Sequence, residues 1–330
     1  MHERPAPGRS PAGPQPCGAP ADACFGRGAA VSKFQGLDLG LVVRGHGRHY
    51  IVEGAEGQRL VCHPRGKKSD AVVGDQVRFA ESGDEGVIEA VEPRRNLLFR
   101  QDEWKTKSFA ANLDQLLVLV AVEPVFSESQ LARALIAAES AGIRAAIALN
   151  KTDLPGTDAA RERLAPYRAM GLTMFDVALK ADREGSRATL EPWLAGQRTF
   201  VLGPSGTGKS TAINLLVKDA QAQVGEISQA LNSGRHTTTT TQWYWTDDTR
   251  TTALIDSPGF QEFGLRQIDA AQLWRFMPDL REHADCRFHN CSHIHEPGCG
   301  VRAAVEAGLI SASRYRIYGE ILEELLRKTW

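Results

Sequence analysis

The sequence predicts a multidomain protein: a small N-terminal β-barrel, a central doubly wound α/β domain with a phosphate-binding loop, and a mainly helical C-terminal module carrying metal ligands. Three observations lead there. Short β-type runs at close spacing fill residues 36–100. Strand, loop and helix patterns then alternate, with a motif at the end of each of three strands. Half of the six cysteines fall within fourteen residues near the C-terminus.

Residues 1–33 hold six prolines and little apolar content, and they are expected to form a disordered tail that cannot offset the entropy of ordering. The next segment, 34–100, contains "LGLVVRG", "RHYIVEG", "QRLVCHP", "DQVRFAE" and "EGVIEAVEP", broken by Gly and Asp. Five short runs with turn signals between them suggest an antiparallel barrel or sandwich. Its ten basic and ten acidic side chains make it neutral overall, with the basic ones gathered in "HPRGKK" and "RRNLLFR". These clusters are either solvated loops or phosphate contacts on RNA.

The continuous apolar run "LDQLLVLVAVEP" has the length of a buried parallel strand. "SESQLARALIAAESAG" follows with a Ser start, helical spacing and a Gly stop. "IRAAIAL" then delivers the motif Asn150-Lys151-Thr152-Asp153 at its carboxyl end. "TFVL" precedes Gly203-Pro204-Ser205-Gly206-Thr207-Gly208-Lys209-Ser210-Thr211, a complete G-x-x-x-x-G-K-[ST] match. "TTALID" delivers Asp256-Ser-Pro-Gly259. In open α/β sheets ligands sit beyond the carboxyl ends of the strands, where all three motifs fall. The alternating span is placed at 106–268, and the C-terminal module at 269–330. In the terminal helix, Tyr315, Tyr318, Leu322, Leu325 and Leu326 share a face and read as a packing stripe.

The glycine-rich loop lets backbone N–H groups turn inward on phosphate oxygens, assisted by the following helix N-terminus. Lys209 is expected to reach the β and γ phosphates, and the Ser210 hydroxyl to coordinate Mg²⁺. That loop alone specifies a nucleoside triphosphate, not its base. The carboxylate of Asp153 accepts two hydrogen bonds from guanine N1–H and the exocyclic amine. Adenine offers neither donor there, so it would leave the carboxylate buried and unpaired. Asn150 is expected to hold the far side of the loop and base, and Lys151 to cover the ring. Asp256 is expected to hold Mg²⁺ through water, and the Gly259 N–H to sense the γ-phosphate. Between these lies "GRHTTTTT", residues 234–241, as a switch loop. Several threonines there are available for Mg²⁺, Thr238 being the one carried forward, and the sequence does not choose among them.

In the usual order the base motif follows the phosphate loop; here it comes some fifty residues earlier. The domain reads as a circularly permuted GTPase, a rearrangement tolerated where the original termini lie close together.

"CRFHNCSHIHEPGC" gives Cys286-x4-Cys291-x-His293-x5-Cys299, three thiolates and an imidazole suited to one closed, structural Zn²⁺ site. His289 and His295 compete for the nitrogen position. A net charge of −1 gives no global signature of a nucleic-acid binder, and no apolar run approaches a membrane span. The N-terminus lacks the apolar region of a secretory signal, so a cytoplasmic protein with free or metal-bound cysteines is expected.

NKTD before GPSGTGKST, then GRHTTT, LIDSPGFQEFGL and C-x4-C-x-H-x5-C, resemble the bacterial small ribosomal subunit biogenesis GTPases of the RsgA/YjeQ type over roughly residues 36–320. The resemblance implies an OB-fold barrel, a permuted GTPase domain and a zinc domain. It implies binding to the small ribosomal subunit and its rRNA late in assembly, departure after GTP hydrolysis, and turnover stimulated by the subunit. A monomer is expected.

Two features depart from common GTPase patterns. "FDVALKADREG" stands where a Ser-Ala base-supporting motif is usual, and Phe260 occupies the place of a water-positioning Gln, with Gln261 one residue later. Intrinsic turnover is therefore expected to be poor, with His236 the residue expected to position the water. Two rivals are an ATPase or kinase with an accidental NKTD, and an RNA scaffold in which the nucleotide is only structural. Lys209, Ser210 and Asp256 together count against the scaffold.

Overall fold

The computed structural model describes residues 36–66, 70–102, 106–218, 220, 240–257 and 263–327. The expected N-terminal tail, His236, Thr238, Gly259, Phe260 and Gln261 lie outside the described residues.

Five strands form the barrel: β1 (Asp38–His46), β2 (His49–Glu53), β3 (Arg59–Pro64), β4 (Gln76–Ser82) and β5 (Glu85–Val91). They run in the order β1-β2-β3-β5-β4, and β4 pairs back onto β1 to close the ring. Only β3 and β5 are parallel. Alternating residues point inward, so Val42, Val52, Cys62, Val77, Phe79 and Ile88 fill the interior. This is the OB-type barrel that the five apolar runs foretell.

A hairpin follows that the sequence did not reveal: β6 (Leu97–Gln101) with β7 (Thr106–Ala111). The basic run "RRNLLFR" that leads into it is largely structural. Arg94 makes two hydrogen bonds to the fully buried Asp75, at 2.7 and 2.8 Å. Arg95 donates to the carbonyls of Asn112 and Leu113 and to Asp114. A guanidinium fork matches several oxygens at once, which is why arginine fills this joint.

The α/β sheet comprises β8 (Gln115–Ala121), β9 (Arg144–Asn150), β10 (Thr173–Asp176), β11 (Arg198–Leu202), β12 (Gln242–Trp245) and β13 (Ala253–Asp256). Its order is β10-β9-β8-β11-β13-β12, parallel except for β12. Every residue of β8 is buried. One face packs under α1 (Glu128–Ser140) and α2 (Thr157–Ala169) through Leu131, Ala134, Leu164 and Tyr167. The other packs under α3 (Arg183–Leu194) and α4 (Lys209–Leu216) through Leu190, Leu194, Ile213 and Leu215. The Ser start of α1 is a true cap, with Ser127 Oγ accepting from Gln130 N. At Arg44↔Gln242, β1 pairs with β12, so barrel and α/β domain share one eleven-stranded sheet.

The C-terminal module is helical: a 3-10 helix (Ala270–Phe276), then Pro278–Glu282, Gly300–Glu306 and Ala312–Leu326. Four of the five residues expected on the terminal stripe pack against the core, Tyr318 and Leu322 buried and Tyr315 and Leu325 partly so. Ile317, Tyr318, Ile321 and Leu322 are buried, whereas Leu326 is 62% exposed. Its inner end holds Arg314, which is buried and pairs with Asp279 at 2.8 and 2.9 Å. Polar Arg314 joins the packed face, which hydrophobic spacing alone does not reveal.

Candidate nucleotide site and metal centre

The carboxyl ends of β8, β9, β11 and β13 open on a cavity of about 740 Å³. It is lined by Asn150, Lys151, Asp153, Ser205, Gly206, Gly208, Lys209, Ser210, Thr211 and Asp256, together with Leu154, Lys180 and Ser257. The first ten come from three motifs separated in sequence and joined here at one sheet edge. Gly203, Pro204, Thr152 and Thr207 shape the loops behind this lining rather than the lining itself.

Asn150 is the tie among these loops. Its Nδ2 donates to Thr207 O at 2.8 Å, and its Oδ1 accepts from Leu179 N at 3.0 Å. One buried side chain thus joins the base motif, the phosphate loop and the loop 177–180. Thr152 holds the last of these from the other side, through its N–H and hydroxyl on Val177 O. Asn150 and Thr152 thus fix the loop that lacks the Ser-Ala motif. Lys180, which the sequence reading passed over, enters the cavity because it follows Leu179 directly. Its signal was its place in the loop already singled out after β10.

Gly208 has φ +106, a left-handed conformation. A Cβ there would lie 2.3 Å from Asn150 Nδ2, so glycine is required both for the turn and for the tie. Lys209 Nζ donates to Gly203 O at 2.7 Å and Pro204 O at 2.9 Å. Burial lowers its pKa, opposed by the nearby Asp256. Burial likewise raises the Asp256 carboxyl to about 6, against the attraction of Lys209. Asp256 Oδ1 is buried without a hydrogen-bond partner. A buried carboxylate close to a lysine suits a hydrated Mg²⁺, and the Ser210 hydroxyl lines the same cavity. Ser257 Oγ donates to Val201 O at 2.8 Å, fixing the start of the third motif on β11.

In the C-terminal module Cys286, Cys291, His293 and Cys299 bring four ligand atoms within 4.8 Å of one another. The Sγ atoms of Cys286 and Cys299 are 3.8 Å apart, and His293 Nδ1 lies 3.4 and 3.5 Å from them. A tetrahedron with Zn–S of about 2.3 Å and Zn–N of about 2.0 Å has edges of roughly 3.8 and 3.5 Å. The cluster therefore fits one structural zinc. His289 and His295 are exposed and stand outside it. Tyr315 and Tyr318 of the terminal helix donate to the carbonyls of His293 and Ser292, at 2.7 and 2.8 Å. Glu296 accepts from Ser292 N and His295 N, bracing the loop.

Fold and site together define a P-loop GTPase whose motifs run in rotated order. Residues 91–266 match the family described as RsgA GTPase. The small ribosomal subunit biogenesis GTPase RsgA of Variovorax paradoxus is 63% identical over 295 residues, covering 88% of this chain and 93% of its own length. The protein of that name from Burkholderia pseudomallei is 52% identical, covering 86% and 91%. Among solved structures, YjeQ from Thermotoga maritima aligns with a TM-score of 0.67 at 29% identity, covering 89% of this chain and all of its own. YloQ, described as a circularly permuted GTPase, aligns at 0.66 and 25% identity, covering 92% and all of its own. The chain belongs to the RsgA GTPase family, and its reaction is the hydrolysis of GTP to GDP and phosphate. Among the described residues no helix is long and apolar enough to cross a membrane.

Proposed function

We propose that this chain binds the small ribosomal subunit and its rRNA late in maturation, and that the subunit stimulates GTP hydrolysis, which is coupled to release. The relatives that match almost end to end are named small ribosomal subunit biogenesis GTPases, which supports the partner in this reading. The observation that carries the nucleotide reading is the Asn150 tie, which sets base and phosphate motifs on one cavity. In this reading Asp153 accepts from guanine, Lys151 covers the ring and Lys180 supports the edge of the pocket. The backbone of Gly203–Thr211 wraps the phosphates, while Lys209 leaves the carbonyls of Gly203 and Pro204 for phosphate oxygens. Ser210, Asp256 and a switch threonine such as Thr238 hold Mg²⁺, and the Gly259 N–H senses the γ-phosphate. Bound Mg²⁺ neutralises charge between the β and γ phosphates. His236 positions the attacking water.

The modules act as a cytoplasmic monomer with boundaries near residues 34, 106 and 269, the hairpin β6–β7 spanning the middle one. Coupling to release has a physical route. Directly after the third motif, Gly264 O accepts from Gln101 N, and Arg266 N donates to Gln101 O. Arg133 of α1 donates both to Phe263 O and to Glu324 of the terminal helix. Ordering of the third motif therefore bears on the hairpin and on the C-terminal module.

The test is GTP turnover with and without small subunits. Stimulation on the order of the 10³–10⁵ that a supplied catalytic element gives is expected. Unchanged turnover removes the partner assignment. Equal affinity of the GDP and GTP-analogue forms for the subunit removes the coupling.

A further inference from the structure

Arg44, Gln242 and Asp256 form a row across the seam where the barrel meets the α/β sheet. Arg44 of β1 pairs in register with Gln242 of β12, and Gln242 pairs with Asp256 of β13. All three carry buried atoms without hydrogen-bond partners: Nε and Nη1 of Arg44, Nε2 of Gln242 and Oδ1 of Asp256. Buried polar atoms are nearly always paired, so three adjacent exceptions in one row call for an explanation. Two of them are complementary. Gln242 has a donor without an acceptor, directly opposite a carboxylate with an acceptor lacking a donor.

Directly opposed residues in an antiparallel pair have Cβ atoms about 4.5–5.5 Å apart, within reach of a glutamine amide. The terminal torsion of glutamine is broad, so rotation of the amide closes the gap at little cost. We propose that Gln242 is a positioning residue for Asp256, donating from Nε2 to Oδ1, and that Arg44 of the barrel holds the amide in that sense by donating to its Oε1. The bond leaves Oδ2 of Asp256 to face the hydrated Mg²⁺. Metal-facing carboxylates are commonly oriented by such outer hydrogen bonds. In consequence the barrel is a contributor to the nucleotide site, one strand away from the residue it orients.

This inference rests on Asp256 holding Mg²⁺, and the experiment separates the two. Mg²⁺ is titrated into the full, zinc-loaded protein bound to a fluorescent GDP, and nucleotide affinity is measured in parallel in excess chelator. Gln242→Leu is expected to weaken Mg²⁺ by about 10–100-fold, as loss of an outer hydrogen bond does, with chelator-condition nucleotide affinity unchanged. Arg44→Met is expected to shift it in the same direction by less. The double variant should be no weaker than Gln242→Leu alone, because Arg44 acts through the amide. Gln242→Met, closer to the native volume, serves if the leucine variant folds poorly. Asp256→Asn is the control. If it loses Mg²⁺ affinity while the Gln242 variants keep theirs, the relay is overturned and Asp256 retains its role. If Asp256→Asn keeps it too, the assignment of Asp256 fails and the relay with it.

Discussion

Replacing Asn150 with alanine removes a side chain that is 3% exposed and bonded to two separate loops. Thr207 O is left without a donor and Leu179 N without an acceptor. A buried group stripped of its partner costs roughly 1–3 kcal/mol, and water entering from the cavity side favours the lower half, giving about 2–4 kcal/mol for the two together. The cost appears partly as lost stability and partly as lost affinity, because the nucleotide must then reorder loops no longer held. Two measurements divide it: the urea midpoint of the nucleotide-free protein, and the Kd for a fluorescent GDP. Asn150→Ala should lower the midpoint and weaken GDP by at least tenfold, about 1.4 kcal/mol. Asn150→Asp keeps an acceptor for Leu179 but sets a carboxylate oxygen against Thr207 O, and should bind no better than the alanine variant. An unchanged midpoint with GDP affinity within threefold would refute the tie.

Three further outcomes are expected. Asp279→Asn leaves the Arg314 guanidinium buried with its charge unmatched, and loss of one partner of such a pair costs about 3–5 kcal/mol; a loss below about 1 kcal/mol in urea unfolding would contradict that. Thiol modification should release one zinc per chain in a colorimetric assay, and prior chelation should lower the thermal midpoint by freeing the carbonyl anchors of Tyr315 and Tyr318; a stoichiometry of zero sinks the site. Asp247, bonded by the Thr249 hydroxyl and the Thr251 and Thr252 amides, has its carboxyl held down to about 2. Its folded pKa lies below the unfolded value, so its contribution to the β12–β13 turn is present above about pH 4 and fades as pH falls towards 2. Carboxyl chemical shifts should titrate with a midpoint near 2; a midpoint near 4 would count against the turn.

The parts of the fold that repeat locally could be read from the chain. Val42, Val52, Val77 and Ile88 each sit in a short alternating run between turn residues, and the three motifs each end a strand. The parts that depend on distant partners could not. The hairpin β6–β7 is hidden in a basic segment whose arginines look solvated until Asp75 and the carbonyls of Asn112 and Leu113 are brought to them. A bulge between Leu98 and Phe99 also breaks its alternation. Arg314 lies on the buried face of the terminal helix because Asp279 neutralises it, something no hydrophobic pattern records. Lining residues were legible in three of four loops. Lys180 has no motif of its own, and the hold of Asn150 on its loop is legible in the base motif, whereas its bonds to Thr207 O and Leu179 N need the fold.

The rotated order also has a consequence in time. Strand β8 is buried on every residue between β9 and β11, yet β11 begins seventy-seven residues after β8 ends. At a synthesis rate of about 5–20 residues per second, β8 waits roughly 4–15 seconds with one apolar edge open. During that interval the guanine half of the pocket exists without its phosphate half, so nucleotide cannot template it. When β11 arrives, the phosphate loop follows it at once, so the open edge of β8 is closed in the same stretch of synthesis that brings the phosphate half to the pocket.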